Sequence, residues 1–163
     1  MRATLPQRLR LVSIGMTDEA RPTLLPITDN AALVKKFLLA LADEDFDTVE
    51  SLTAADLVWQ NVGLPSIRGR SRIMGLLRRG EGKVGFAVAF HRVAAEGDTV
   101  LTERTDAILL GPLRLQFWVC GAFEIRDGQI TLWRDYFDMV DVMVKAPLKA
   151  LVGLVVPALR PRF

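Results

Sequence analysis

Between Thr28 and Asp45 the apolar residues Val34, Phe37, Leu38 and Leu41 recur at spacings of three and four, with Lys35 and Lys36 on the other side. That period predicts a helix, and Thr28, Asp29 and Asn30 supply capping side chains in front of it. A shorter helix is predicted next, where Asp47 and Glu50 have capping-box spacing and Phe46, Val49 and Leu52 form the buried side. A third follows in "RSRIMGLLRRG", with Ile73, Met74 and Leu77 inward, arginines outward and Gly80 as its stop.

From residue 84 the period changes to two. Val84, Phe86, Val88 and Phe90 alternate with smaller residues, and "EGD" turns the chain into a second strand near Thr99. In "LRLQFWVCGAFEIRDGQITLWRDYF" the pair Asp127-Gly128 is a two-residue hairpin turn between two more strands. With a short strand at "LVWQN", the order of helices first and a four-stranded meander afterwards predicts an α+β domain. Its mostly antiparallel sheet is expected to be strongly curved, with the N-terminal helices on the concave side. Residues 1–28, Pro-containing and aperiodic, read as an extended arm, and residues 29–163 as a single domain including an apolar C-terminal tail. That tail, "LKALVGLVVPAL", falls short of the roughly 20 residues a membrane-spanning helix needs. It is expected to form a terminal helix over a pocket or against a second subunit, with shallow membrane contact as the weaker alternative.

Composition narrows the field. The 163 residues are 50% apolar, which suits one domain with a sizeable core or a lipophilic cavity. The net charge of +2 arises from 21 basic and 19 acidic residues, and the excess sits near the two ends without a basic stripe interleaved with aromatics, which argues against nucleic acid. Cys120 has no partner for an internal disulfide, so a reduced, cytoplasmic setting is expected, with the thiol as a small core residue. His91 lacks companions at metal-ligand spacing and reads as a strand residue. The first 15 residues do not have the form of a signal peptide, and Met16, opening "MTDEARP", reads as a native start.

Strand parity isolates the chemistry. In "LTERTDAIL" the residues Thr102, Arg104, Asp106 and Ile108 share one face; in the next strand Leu115, Phe117, Val119, Gly121 and Phe123 do; in the last, Trp133, Asp135 and Phe137. If the apolar sets face inward, two carboxylates and a guanidinium enter one apolar interior. On spacing alone a buried ion network that fixes strand register and an active site are equally good readings.

The segments "VWQNVGLP", "TERTD" and "LWRDYFD", in this order, resemble the signature of the limonene-1,2-epoxide hydrolase family, whose cone-shaped α+β fold is shared with ketosteroid isomerases. The resemblance covers residues 30 to 145 and implies cofactor-independent, one-step addition of water to a lipophilic epoxide by a homodimer. It implies Asp135 as the base that deprotonates water, Asp106 as the acid that protonates the epoxide oxygen, Arg104 as the bridge between them and Asn61 as a holder of the water. Trp59 stands where the limonene enzyme has a tyrosine, and an indole offers one donor and no acceptor, so water positioning and pocket wall both stay open for it. The implied pocket walls are Leu38, Leu41, Leu77, Val84, Phe86, Ile108, Phe117, Val119 and Phe137. Trp118 and Ala122, on the outer face, would meet a second subunit. Two other classes stay open: an isomerase or cyclase on the same fold, and a non-catalytic binding module.

Overall fold

The computed structural model of the chain describes residues 30–156 and 158. The arm reading for residues 1–28, the capping role of Thr28 and Asp29 and the start at Met16 fall outside them. Helices α1 (Asn30–Ala42), α2 (Phe46–Ser51) and α3 (Arg70–Gly80) are followed by a run of long strands, an α+β arrangement. The strands are β1 (Thr53–Asn61), β2 (Ile67–Arg68), β3 (Gly85–Glu96), β4 (Thr99–Leu110), β5 (Leu113–Arg126) and β6 (Gln129–Tyr136). They form one sheet in the order β2-β1-β6-β5-β4-β3, antiparallel throughout except for a parallel β1–β6 pair. Register shifts at Phe90/Arg92, Glu124/Ile125 and Thr53/Val58 are where the sheet bends, because an extra residue on one strand deflects it from its neighbour.

The core lies between the helices and one sheet face. Val34, Phe37, Leu38 and Leu41 of α1 meet Phe46 and Val49, Leu57, Ile73 and Met74, and on the sheet Val100, Phe123, Ile130 and Trp133. Phe37 sets its ring edge against both Phe123 and Trp133, an arrangement aromatic quadrupoles favour. Asn30 is buried at the start of α1 and donates through Nδ2 to the Gly97 carbonyl, which fastens the helix to the β3–β4 turn.

Two local expectations need correction. The cap of α2 is Asp45, which accepts from the Thr48 amide, while Asp47 and Glu50 both receive Arg78 instead of forming a capping box. Cys120 is half-buried on the outer face, opposite Tyr136 and Glu103, because even-numbered β5 residues point away from the core. Strand β2 carries no periodic signal and exists by pairing with β1 at Val58 and Trp59. Beyond β6 the chain forms a π-helical turn, Asp141–Lys145, and then α4 (Ala146–Val155) with Pro147 in its first turn. α4 lies against β5 through its small residues Ala146, Ala150 and Gly153 and leaves Leu148, Leu151 and Val155 exposed. No helix among the described residues is long and apolar enough to cross a membrane.

Candidate active site

Arg104 is the centre of the site, and the sheet explains its reach. It stands on β4, with β5 between it and β6, so the distance to β6 is two strand spacings, roughly 9–10 Å. Only a long side chain crosses that gap. The lane it crosses is opened by Gly121, which lies opposite Thr102 on one side and Asp135 on the other. A Cβ at Gly121 would overlap Arg104 Nη1 and lie 2.6 Å from Thr102 Oγ1.

The guanidinium is wholly buried, and each of its three nitrogens donates a hydrogen bond. Its Nε donates to Asp106 at 2.9 Å and 3.1 Å, Nη1 to Thr102 Oγ1 at 2.8 Å, and Nη2 to Asp135 Oδ1 at 2.5 Å. The Phe123 ring lies 5.9 Å from its central carbon. The second oxygen of Asp135, Oδ2, accepts the indole N–H of Trp133 at 2.6 Å. Arg134, next to Asp135 in the chain, faces away and donates to Gln60 Oε1 at 2.8 Å.

Burial decides the electrostatics. Desolvation pushes Asp106 up to about 6, against the charge and hydrogen bonding of Arg104. Asp135 is also raised by burial, opposed by Arg104 and by the Trp133 N–H. Two acids around one cation carry a net negative charge unless a proton is shared, so the pair titrates as a unit. Asp135 takes a separate donor on each oxygen, whereas both Asp106 oxygens share the one Nε–H. Hydrogen bonding therefore favours the ionised form of Asp135 more than that of Asp106.

Both carboxylates open onto a cavity of about 350 Å³. Of the expected wall residues, Leu41, Leu77, Val84, Phe86, Ile108, Phe117, Val119 and Phe137 line it. Leu38 does not; it points into the core beside the other α1 side chains and is wholly buried. Val142 and Met143, in the π-helical turn ahead of Pro147, also line the cavity, whereas none of the described residues of the apolar tail after Pro147 does, so its expected place over the pocket is not what the structure has. Unforeseen wall residues are Phe46, Leu64, Trp133 and Glu44. Glu44 has a left-handed backbone (φ 56°) and accepts the Gly82 amide, which joins the α1–α2 turn to the loop before β3.

Parallel pairing of β1 with β6 brings Asn61 opposite Asp135 and Trp59 opposite Trp133. The two indoles stack at 4.7 Å and 14°. Trp59 Nε1 is enclosed and has no hydrogen-bond partner among the described residues. Among those residues no group of three or more His, Cys, Asp or Glu side chains is arranged to hold a metal ion. A buried proton donor and a buried carboxylate facing one apolar cavity can add and remove a proton on the same small molecule.

The family profile described as the limonene-1,2-epoxide hydrolase catalytic domain matches residues 28–148. A protein of Mycobacterium tuberculosis (strain ATCC 25618 / H37Rv) named epoxide hydrolase EphG is 60% identical over 127 residues, 78% of this chain and 85% of the relative. The solved structure of an M. tuberculosis LEH-like epoxide hydrolase superposes with a TM-score of 0.80 at 56% identity, covering 83% of this chain and 96% of that one. A protein of Catenulispora acidiphila with a ketosteroid isomerase-like fold is similar in fold only, with a TM-score of 0.61 at 18% identity over 71% of this chain and 92% of that one.

Proposed function

The chain belongs to the limonene-1,2-epoxide hydrolase family and is an epoxide hydrolase of that type, and we propose that Asp135, Arg104 and Asp106 carry its reaction in one concerted step. The observation that supports this most directly is the wholly buried guanidinium joining two carboxylates at an apolar cavity. Asp135 takes a proton from water as the water oxygen bonds to an epoxide carbon. The carbon–oxygen bond on that carbon breaks, and the departing oxygen takes the proton of Asp106, giving a vicinal diol. Removing one proton while supplying another avoids both free hydroxide and a free alkoxide. The cycle leaves one proton transferred from Asp106 to Asp135, and it must return before the next turnover.

The shift on Asp106 makes the acid role affordable at neutral pH. An ordinary aspartate is protonated in about one molecule in a thousand at pH 7, whereas a group near 6 is protonated in about one in ten. Asn61, in register with Asp135, is read as the amide that holds the water. Trp59 is read as pocket wall, since its N–H is enclosed and its face is given to Trp133. The substrate is read as a lipophilic epoxide, because among the described residues the cavity wall is mostly apolar and aromatic, with Asn61 and the carboxyl groups of Glu44, Asp106 and Asp135 as its polar side chains beside the two indoles. No metal or organic cofactor enters the reaction.

A homodimer in a reducing cytoplasm completes the reading. Leu101, Trp118 and Tyr136 lie exposed on the outer sheet face, as apolar residues awaiting a second copy do. The test is hydrolysis of a panel of aliphatic and terpene epoxides in ¹⁸O-labelled water. One labelled oxygen in the diol during a single turnover of excess enzyme is expected, and Asp106→Asn and Asp135→Asn should each be folded and inactive. Substantial turnover in either variant, or a label that first enters the protein, would refute the scheme.

A further inference from the structure

Trp133 shares the inner face of β6 with Asp135, two residues on, and it is locked in place. Its ring is 4% exposed, with Trp59 stacked on one face and Phe37 edge-on at 5.2 Å and 80°. An indole held in this way has one place to send its N–H, and that place is Asp135 Oδ2.

We propose that Trp133 is a positioning residue for the hydrolysis: its N–H fixes the carboxylate plane of Asp135 and directs the proton of the acid pair to Asp106. This rests on Asp135 being the base. With Oδ1 held by Arg104 and Oδ2 by Trp133, the carboxylate cannot turn, so its remaining lone pairs keep a constant aim at the cavity. A donor on each oxygen also disfavours protonation of Asp135, since a proton there must displace or crowd one of them. Without the indole N–H, a deeply buried Asp135 would compete with Asp106 for the proton, and the misassigned state, with base protonated and acid ionised, cannot react. Around Asp135, β4 presents Arg104 and Asp106, β5 presents Gly121, β1 presents neutral Asn61 and Trp59, the α1–α2 turn presents Glu44 to the same cavity and the segment after β6 presents Val142 and Met143; the Trp59 N–H is enclosed and makes no bond to Asp135, so Trp133 is the indole that holds the carboxylate.

Trp133→Phe keeps a ring in the stack and removes the N–H. Its kcat should fall by about tenfold or more with little change in KM, and the acid limb of the kcat–pH profile should move up by about one unit. A site-specific isostere in which sulfur replaces the indole N–H should give the same shift with the packing intact, which also covers a Phe variant that folds poorly. An acid limb unmoved in the isostere would overturn the proposal and leave Trp133 as packing alone. Failure of the underlying reading looks different: turnover by Asp135→Asn, whatever the Trp133 variants do.

Discussion

Substituting Gly121 by alanine tests how the guanidinium is seated. The new Cβ would overlap Arg104 Nη1, stand 2.6 Å from Thr102 Oγ1 and 2.9 Å from the Phe123 ring. Carbon and nitrogen in contact rest roughly 3.5 Å apart, so the guanidinium must withdraw by about 1 Å or more. It has nowhere to go, because Arg104 and Phe123 are both wholly buried. Since the guanidinium is rigid, a shift of that size would stretch the 2.9 Å bond from Nε to Asp106 toward roughly 3.9 Å, past the limit of a hydrogen bond. Breaking a buried ion pair costs about 3–5 kcal/mol, a large part of the ~5–15 kcal/mol that holds a typical domain together. Misplacing a catalytic group by about 1 Å costs on the order of 10²-fold in rate. Urea unfolding and diol formation on the same preparation measure both. Gly75→Ala is the control: nothing lies within 4 Å of its Cβ, and in the middle of α3 it should stabilise by about 1 kcal/mol without touching the rate. Wild-type stability and turnover in Gly121→Ala would show that the lane between β4 and β6 need not be empty.

Two further outcomes follow from burial. With Asp106 near 6, the folded chain keeps a proton that the unfolded chain has released, so this group's contribution to stability falls as pH rises from about 4 to about 6. The stability of the wild type minus that of Asp106→Asn, from denaturation midpoints, should therefore drop by about 2 kcal/mol between pH 4 and pH 7; a flat difference would refute the shift. The basic limb of the rate profile should fall in the same region. Leu38→Ala should cost about 2–5 kcal/mol of stability with KM unchanged, because Leu38 fills core and not cavity. A raised KM at unchanged stability would return it to the wall.

The helices and long strands were legible because each carries its own period, and α3 runs over the very segment that the pattern marked. Parity alone places Arg104, Asp106 and Asp135 on inner faces, since β4, which buries Val100, and β6, which buries Trp133, each commit every second neighbour to the same side. Leu38 lies in the core and not in the cavity wall, a difference that helical spacing does not encode, because it identifies a buried face without saying what lies beyond it. The cap of α2 was misplaced for a similar reason: Asp45 and Asp47 are both acids of the right type, and the geometry of the turn after α1 selects the first.

The adjacencies that make the site are of another kind. Nothing within β1 or β6 says that they pair, still less in parallel, yet that pairing is what sets Asn61 beside Asp135 and Trp59 on Trp133. Gly121 was grouped with its apolar neighbours as one more inward residue, although its value to the site is the side chain it lacks. A guanidinium that must cross a strand needs a gap in that strand, and a gap is invisible until the register is known. Once Thr102, Gly121 and Asp135 are seen in line across three strands, the glycine stops being filler and becomes the condition on which Arg104 meets both acids. The same line explains why an arginine occupies the position. A lysine carries a single nitrogen and could not hold Thr102, Asp106 and Asp135 in one fixed plane, so the fork of the guanidinium, and not its charge alone, makes two separate carboxylates into one acid–base pair.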